Sequence, residues 1–391
     1  MIGERTEIVQ AVRKWVEREV YPVASEYEHA DEFPEPLVEQ MKELGLFGVT
    51  IPEEYGGLGL DLTTYALIQV ELSRGWMSLS GVLNTHFISA WMIRTFGTEE
   101  QRQHFLPRMA SGEVRSAYSM TEPHAGSDVQ AIRTRAVRDG DEWVITGQKM
   151  WATNGLRAGM LTMLAVTDPD AESRHRGLTA FVLEKEPGLA SLPGLEIGPP
   201  IRKLGYKGVE SVELSFDGFR APADSVIGGD AGVNEGFRYF MGGIELGRVN
   251  IAARAVGIAT RAFEEAIRYA QQREAFGKPI AQHQAIQLKL AQMATKIEAS
   301  RLLMLQAAER KDAGERADLE AGMAKWFATE AAEEVALESM RIHGGAGYSQ
   351  ELVVERLYRE APLLIIGEGS NEIQQLVIAR RLLERYAPGK T

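Results

Sequence analysis

Cysteine is absent from all 391 residues, which removes disulfides, thiolate metal sites, iron–sulfur clusters and cysteine nucleophiles from consideration. Basic blocks are absent too, and the formal net charge is −12. The electrostatic footprint of a phosphate-backbone binder is therefore missing, and nucleic acid is not expected as a partner. No uninterrupted apolar run reaches the ~18 residues of a membrane span. The opening stretch MIGERTEIVQAVRKWVEREV is charged and helix-periodic, without the apolar core of a signal peptide. The expectation is a cytoplasmic protein with no membrane contact.

Several common catalytic signatures are missing as well. A dinucleotide fingerprint needs glycine three residues after Gly-x-Gly, but Gly57/Gly59, Gly345/Gly347 and Gly367/Gly369 are followed there by Leu62, Gln350 and Glu372. Gly389-Lys390-Thr391 imitates the end of a phosphate-binding loop, yet the glycine required upstream is Glu384. Neither Gly-x-Ser-x-Gly nor His-Glu-x-x-His occurs, so the esterase elbow and the commonest zinc-hydrolase helix have no support. The histidines are scattered, and no metal ligand set is expected.

The chain is long enough for two or three packed modules. Apolar residues recur at helical spacing over 1–112, with breaks at Phe33-Pro34-Glu35-Pro36 and at Pro52–Gly57. Over 113–229, short β-rich runs (143–146, 161–166, 179–183, 212–216) alternate with Gly, Pro and Asp clusters, which predicts an antiparallel sheet or barrel. From 230 to 391, long Ala/Glu/Arg/Leu-rich stretches (244–272, 282–310, 319–342) predict a four-helix bundle. The order helices, strands, helices predicts an α+β multi-module chain rather than an alternating doubly wound sheet. The tail Ala387-Pro388-Gly389-Lys390-Thr391 is expected to fray.

Two segments stand out locally. Tyr118-Ser119-Met120-Thr121-Glu122-Pro123-His124-Ala125-Gly126-Ser127-Asp128 places hydroxyls and small residues after a short strand, where backbone amides can approach a ring or phosphate. By itself it equally fits an ordinary turn. Gly147-Gln148-Lys149-Met150-Trp151-Ala152-Thr153-Asn154-Gly155 sets Trp151 and Thr153 on the same side of a strand end. Alone, Trp151 fits a core position as well.

In order and spacing these segments resemble the flavin-contacting segments of the acyl-CoA dehydrogenase family, and the resemblance runs nearly end to end. Arg273-Glu274-Ala275-Phe276-Gly277-Lys278-Pro279-Ile280 with His283-Gln284 resembles that family's Arg-x-x-Phe-Gly and His-Gln pair. Ile342-His343-Gly344-Gly345-Ala346-Gly347-Tyr348 resembles its Gly-Gly-x-Gly-Tyr turn, and Glu368-Gly369-Ser370-Asn371-Glu372-Ile373-Gln374 its Glu-Gly-Thr/Ser-x-x-Ile-Gln segment. The resemblance implies an N-terminal helical domain, a middle β domain, a C-terminal four-helix bundle, FAD as cofactor, an acyl-CoA substrate, an electron-transferring flavoprotein as partner and a homotetramer.

It further implies FAD contacts from Tyr118, Met120, Thr121, Ser127, Trp151, Thr153, Gly344, Gly345, Ser370 and Glu372. Phe276 would also contact FAD, and Arg273 and Gln284 would reach the FAD of a neighbouring subunit, where a guanidinium fork suits a pyrophosphate. Taken alone, Arg273 reads better as a solvated helix-end cation. Ser127, Glu245, Arg248 and Gly369 would hold substrate. His124 departs from the glycine usual at its place, which is tolerable if its φ is negative.

The same resemblance makes Glu368 the base that removes the α-proton of the thioester, opposite the flavin that takes the β-hydride. Glu368 follows the apolar run 361–366 and precedes a helix starting near Ser370 or Asn371. Burial can raise a carboxyl by ~3–5 pKa units, whereas an exposed helix N-terminus favours the anion by only ~0.3–1 kcal/mol, so burial should win where substrate closes the site. Without this context, a glutamate there would read as dipole compensation. Some relatives carry the base on the long helix instead, at the position held here by Gly247, which has no side chain to serve. Gly367 stands where many straight-chain members have tyrosine, implying a broadened or branched-chain pocket. Flavin oxidases or monooxygenases of the same fold, and non-catalytic flavin-bearing binding proteins, are the alternative functions.

Overall fold

The computed structural model describes residues 2–387, so residues 388–391 of the expected frayed tail lie outside the described part. The N-terminal region comprises α1 (Ile2–Trp15), α2 (Ala24–Ala30), α3 (Glu35–Glu43), α4 (Leu62–Gly75), α5 (Met77–Phe96) and α6 (Glu99–Ala110). Local chemistry fixes their starts. Asp61 accepts from the Thr64 amide at 2.7 Å at the head of α4, and Thr98 with Gln101 forms a reciprocal capping box on α6. The α5 sequence is apolar on nearly every side, and residues Met77–Ala90 are buried all round, as expected of a central helix.

The middle region holds β1 (Ser116–Ser119), β2 (Arg135–Asp139), β3 (Glu142–Thr153), β4 (Met160–Val166), β5 (Leu178–Glu184), β6 (Ser191–Leu192), β7 (Leu195–Ile197) and β8 (Ser211–Pro222). They form a sheet ordered β1-β4-β2-β3-β8-β7-β6, with β5 also paired to β4. The sheet is mixed rather than wholly antiparallel: β1 runs parallel to β4, and β2 meets β4 in parallel through Arg135 and Val166. A parallel pairing needs a crossover of a dozen or more residues, and residues 120–159 between β1 and β4 supply one. That crossover carries both segments singled out above.

The C-terminal region contains α7 (Gly236–Gln272), a small hairpin of β9 (Glu274–Ala275) and β10 (Lys278–Pro279), α8 (Gln284–Asp312), α9 (Asp318–His343), α10 (Val354–Ile366) and α11 (Asn371–Arg385). At 37 residues, α7 spans about 55 Å and packs against α4, α5, α8 and α9. Asp312, ending α8, accepts from the amides of Leu62 and Thr63 at 2.7 and 2.9 Å. It thereby satisfies free donors at the start of α4 and locks the two helical regions together. The sheet is tied to α5 by hydroxyls: Thr85 donates to the Ser116 carbonyl at 2.9 Å, and Ser116 to Ser89 at 2.8 Å. Among the described residues no helix is long and apolar enough to cross a membrane.

Candidate active site

The centre of the site is the turn between α10 and α11. Gly367 caps α10 in an extended conformation, Glu368 follows in the left-handed region at φ 57°, and Gly369 is left-handed too at φ 83°. For a glutamate that conformation costs on the order of 1–3 kcal/mol and needs surrounding structure to hold it. Here the backbone is pinned by Gln374, whose side-chain amide donates to the carbonyls of Glu368 and Gly369 at 3.3 and 3.0 Å. Buried Lys325 adds bonds to the Ile365 carbonyl at 2.8 Å and to Asn371 Oδ1 at 2.7 Å. The turn thus aims the Glu368 carboxylate at α5 and α7.

There Asn84 Nδ2 donates to Glu368 Oε1 at 2.8 Å. On the α7 side, a Cβ placed on Gly247 would lie 2.3 Å from Glu368 Oε2, so the carboxylate occupies the room that a side chain at 247 would need. Burial pushes the Glu368 carboxyl above its usual range, opposed by the Asn84 hydrogen bond and then by the charges of Arg254, Arg248 and Lys325. A carboxyl raised in this way is a stronger base once ionised.

The two flavin-like segments are joined to each other. The Met150 amide donates to the Thr121 carbonyl at 2.8 Å, and a buried ion pair fixes the loop from beneath. Lys149 Nζ donates to Glu122 Oε1 at 2.8 Å and to the Met120 carbonyl at 3.1 Å. Glu122 also accepts from the amides of Arg133 and Thr134 at 2.7 and 3.0 Å. Burial pushes Glu122 up, but Lys149 and these donors outweigh it and hold the carboxyl below its usual value. With every partner in place, the pair serves as a rigid floor. His124 is exposed, 3.5 Å from Glu122, and its φ is not positive, so it does not break the loop.

Trp151 departs from the regular strand alternation expected of residues 147–155. Lys149 and Ala152 are both buried although three residues apart, because the register with β8 shifts between them. Trp151 sits in that bulge at φ 62° and is 49% exposed, so a bulge, not simple alternation, turns its indole outward. Thr153 shares a 3.1 Å hydroxyl contact with Ser211. Tyr118 leans on the Phe240 ring with centroids 4.6 Å apart, and Met120 is partly buried against the main core.

Other expected residues lie apart from this cluster. Phe276 is 97% exposed at φ 55° in the β9–β10 turn, and Gln284 at the head of α8 is exposed. The exposed Arg273 guanidinium has no hydrogen bond or ion pair among the described residues. Gly344 and Gly345 are likewise exposed, with open space where a Cβ would be. On α7, Glu245 pairs with Lys311 at 2.9 Å, while Arg248 Nε is buried without a partner. Ser370 caps α11, and its hydroxyl is the main influence holding the exposed Glu372 carboxyl low.

Asn84, Arg254, Lys325 and the Glu122–Lys149 pair are site features that the motif reading missed. Lys149 was detectable as a cation at an inward position of β3, and Arg254 as a lone charge inside Ala252-Ala253-Arg254-Ala255. Asn84 carries no local signal.

The arrangement fits the FAD implied by the motifs. Thr121 is tied to the strand through the Met150 amide, Gly126 and Ser127 are exposed in the pinned loop, and the Trp151 indole is half exposed. The unpaired guanidinium of Arg273 has the chemistry for a pyrophosphate. Comparison with known proteins agrees. Family models for the acyl-CoA dehydrogenase N-terminal, middle and C-terminal domains match residues 3–113, 117–219 and 234–383. A (2S)-methylsuccinyl-CoA dehydrogenase of Cereibacter sphaeroides is 41% identical, over 98% of this chain and 70% of its own. An acyl-CoA dehydrogenase of Bacillus subtilis (strain 168) is 40% identical, over 97% of this chain and 98% of its own. The structure of butyryl-CoA dehydrogenase from Megasphaera elsdenii superposes with a TM-score of 0.92 at 33% identity, covering 97% of this chain and 98% of that one. The chain belongs to the acyl-CoA dehydrogenase family of FAD-dependent oxidoreductases.

Proposed function

We propose that the protein dehydrogenates an acyl-CoA thioester between its α- and β-carbons, with Glu368 as the base that takes the α-proton. The observation that carries this reading is the carboxylate itself: strained backbone, one hydrogen bond to Asn84, and an α7 surface cleared by Gly247. Bound FAD supplies the acceptor for the β-hydride. Tyr118, Met120, Thr121, Ser127, Trp151 and Thr153 form the surface that holds the flavin, with Ser370 and Glu372 at the neighbouring turn. Ser127, Glu245, Arg248 and Gly369 hold the thioester substrate. Asn84 keeps the Glu368 carboxylate oriented and limits how far burial raises it.

Arg273, Phe276, Gln284, Gly344 and Gly345 are exposed in one chain and distant in bonding from the Glu368 cluster. We assign them to the FAD of a neighbouring copy, in keeping with a homotetramer. Electrons then leave to an electron-transferring flavoprotein. A Cβ at Gly367 would meet only the Leu363 carbonyl, at 3.3 Å, which supports a roomy pocket beside the reacting carbons. The name of the Cereibacter sphaeroides relative, a branched diacid thioester dehydrogenase, is compatible with such room. The test is anaerobic mixing of the flavin-loaded protein with straight, branched and carboxylate-bearing acyl-CoAs. Bleaching of the flavin is expected with at least one of them, and no bleaching with any thioester refutes the activity.

A further inference from the structure

We propose that the acyl pocket takes a short acyl chain ending in a carboxylate, and that Arg254 is the residue that binds that carboxylate. This rests on the acyl-CoA reading above. Arg254 lies on α7, seven residues after Gly247 and so on the same face, two turns further along. The rise between them is about 10 Å. Side chains on a helix lean toward its N-terminus, so the guanidinium reaches back toward the level of Gly247 and Glu368. Arg254 is the foremost of the charges acting on the Glu368 carboxyl, so a carboxylate bound by it lies near the reacting carbons, which suits a short diacid chain rather than a long one.

Part of the guanidinium is unsatisfied. Arg254 is only 2% exposed, yet its Nε and Nη2 have no hydrogen-bond partner, and no carboxylate lies within ion-pairing distance among the described residues. The Tyr206 ring lies below it, 4.9 Å from the guanidinium carbon. The Tyr206 hydroxyl fills the space beside Gly81, where a Cβ would come within 1.8 Å of it, one turn from Asn84 on α5. A pocket for plain alkyl chains has no use for such a lining, because an unpaired buried charge is strongly unfavourable. Glu368 compensates it only through space: its carboxylate hydrogen-bonds Asn84, Arg254 is the foremost of the charges acting on it, and that countercharge is lost when Glu368 takes the α-proton. Glu360 is a fully buried carboxylate whose nearest ion-pairing cation is Arg356, at 4.0 Å. A carboxylate on the substrate would supply the missing countercharge and remain charged throughout the reaction.

The first test uses substrates on the unaltered holoenzyme. Glutaryl-CoA and 2-methylsuccinyl-CoA are expected to exceed their distal monomethyl esters in kcat/KM on the order of 100-fold, because a site built for a polar group rejects the analogue lacking it. Tighter binding of the acid than of the ester, read from the flavin spectrum of Glu368→Gln without turnover, is expected in parallel. Arg254→Gln should lower the ratio of glutaryl-CoA to butyryl-CoA kcat/KM by a similar factor. Equal handling of acid and ester, or an unchanged ratio in Arg254→Gln, overturns the proposal and makes Arg254 a structural cation. If Arg254→Gln fails to fold, the acid–ester comparison decides alone. Bleaching by butyryl-CoA without any preference for the acids sinks this inference and leaves the dehydrogenase reading intact, whereas no bleaching by any thioester sinks both.

Discussion

Gly247→Ala separates the packing of α7 from the chemistry of Glu368. A glycine inside a helix is less favourable than alanine by about 1 kcal/mol, so by backbone preference alone the substitution should raise stability. The new methyl carbon, however, would sit 2.3 Å from Glu368 Oε2, and ordinary contact begins at 3.4 Å. The oxygen must therefore retreat by about 1 Å, a displacement of the size that costs roughly 100-fold in rate when it misplaces a reacting group. Because the obstructing atom is the end of a flexible side chain, the protein has an inexpensive way to fold around the methyl group. The expected result is a melting temperature equal to or above wild type, intact flavin, and kcat/KM for the best thioester down by about two orders of magnitude. Thermal unfolding and single-turnover flavin reduction measure the two halves. Activity within threefold of wild type would refute the argument that Glu368 works from the position observed.

Asn84→Ala removes a hydrogen bond to the charged form of Glu368, worth about 1.5–3 kcal/mol, and should raise that carboxyl further. A base must be ionised to act, so the acidic limb of the kcat/KM–pH profile should move to higher pH; an unmoved limb contradicts the pairing. Gly367→Tyr is expected to reduce kcat/KM for branched substrates more than for butyryl-CoA, by about 1–3 kcal/mol per lost methylene contact, and equal losses on all substrates remove the pocket-widening role. Arg273→Ala should lower flavin occupancy and weaken the oligomer together, as followed by absorbance ratio and light scattering; full occupancy in a dissociated monomer argues against the shared site.

Much of this site was legible because its parts are local in sequence. The Glu368-Gly369-Ser370 turn, the 118–128 loop and the 147–155 strand each keep their chemistry within a few residues. The long periodic helices α7, α8 and α9 were likewise readable from apolar spacing, and the β-rich runs fell inside β3, β4, β5 and β8. The orientation of Trp151 was not readable, because a bulge breaks the two-residue period that the inference relied on. The parallel pairing of β1 with β4 was hidden for a related reason: register over a 40-residue crossover is a tertiary fact. Asn84 and Arg254 were missed because their meaning comes only from meeting Glu368 and Tyr206, which lie far away in the chain. Gly247 shows the intermediate case. Its lack of a side chain was visible in sequence, but its contact with Glu368 Oε2 became visible only in three dimensions.

The most direct test of the central claim is the flavin reduction rate of Glu368→Gln, measured anaerobically with a thioester that bleaches the wild type. The substitution is isosteric and leaves the Asn84 side chain a partner, so the variant should keep its FAD and still perturb the flavin spectrum on binding substrate. The account predicts that reduction then falls by several orders of magnitude, as loss of a base acting only in the transition state requires. A near-normal reduction rate, or loss of the bound flavin in place of a loss of rate, would contradict Glu368 as the base.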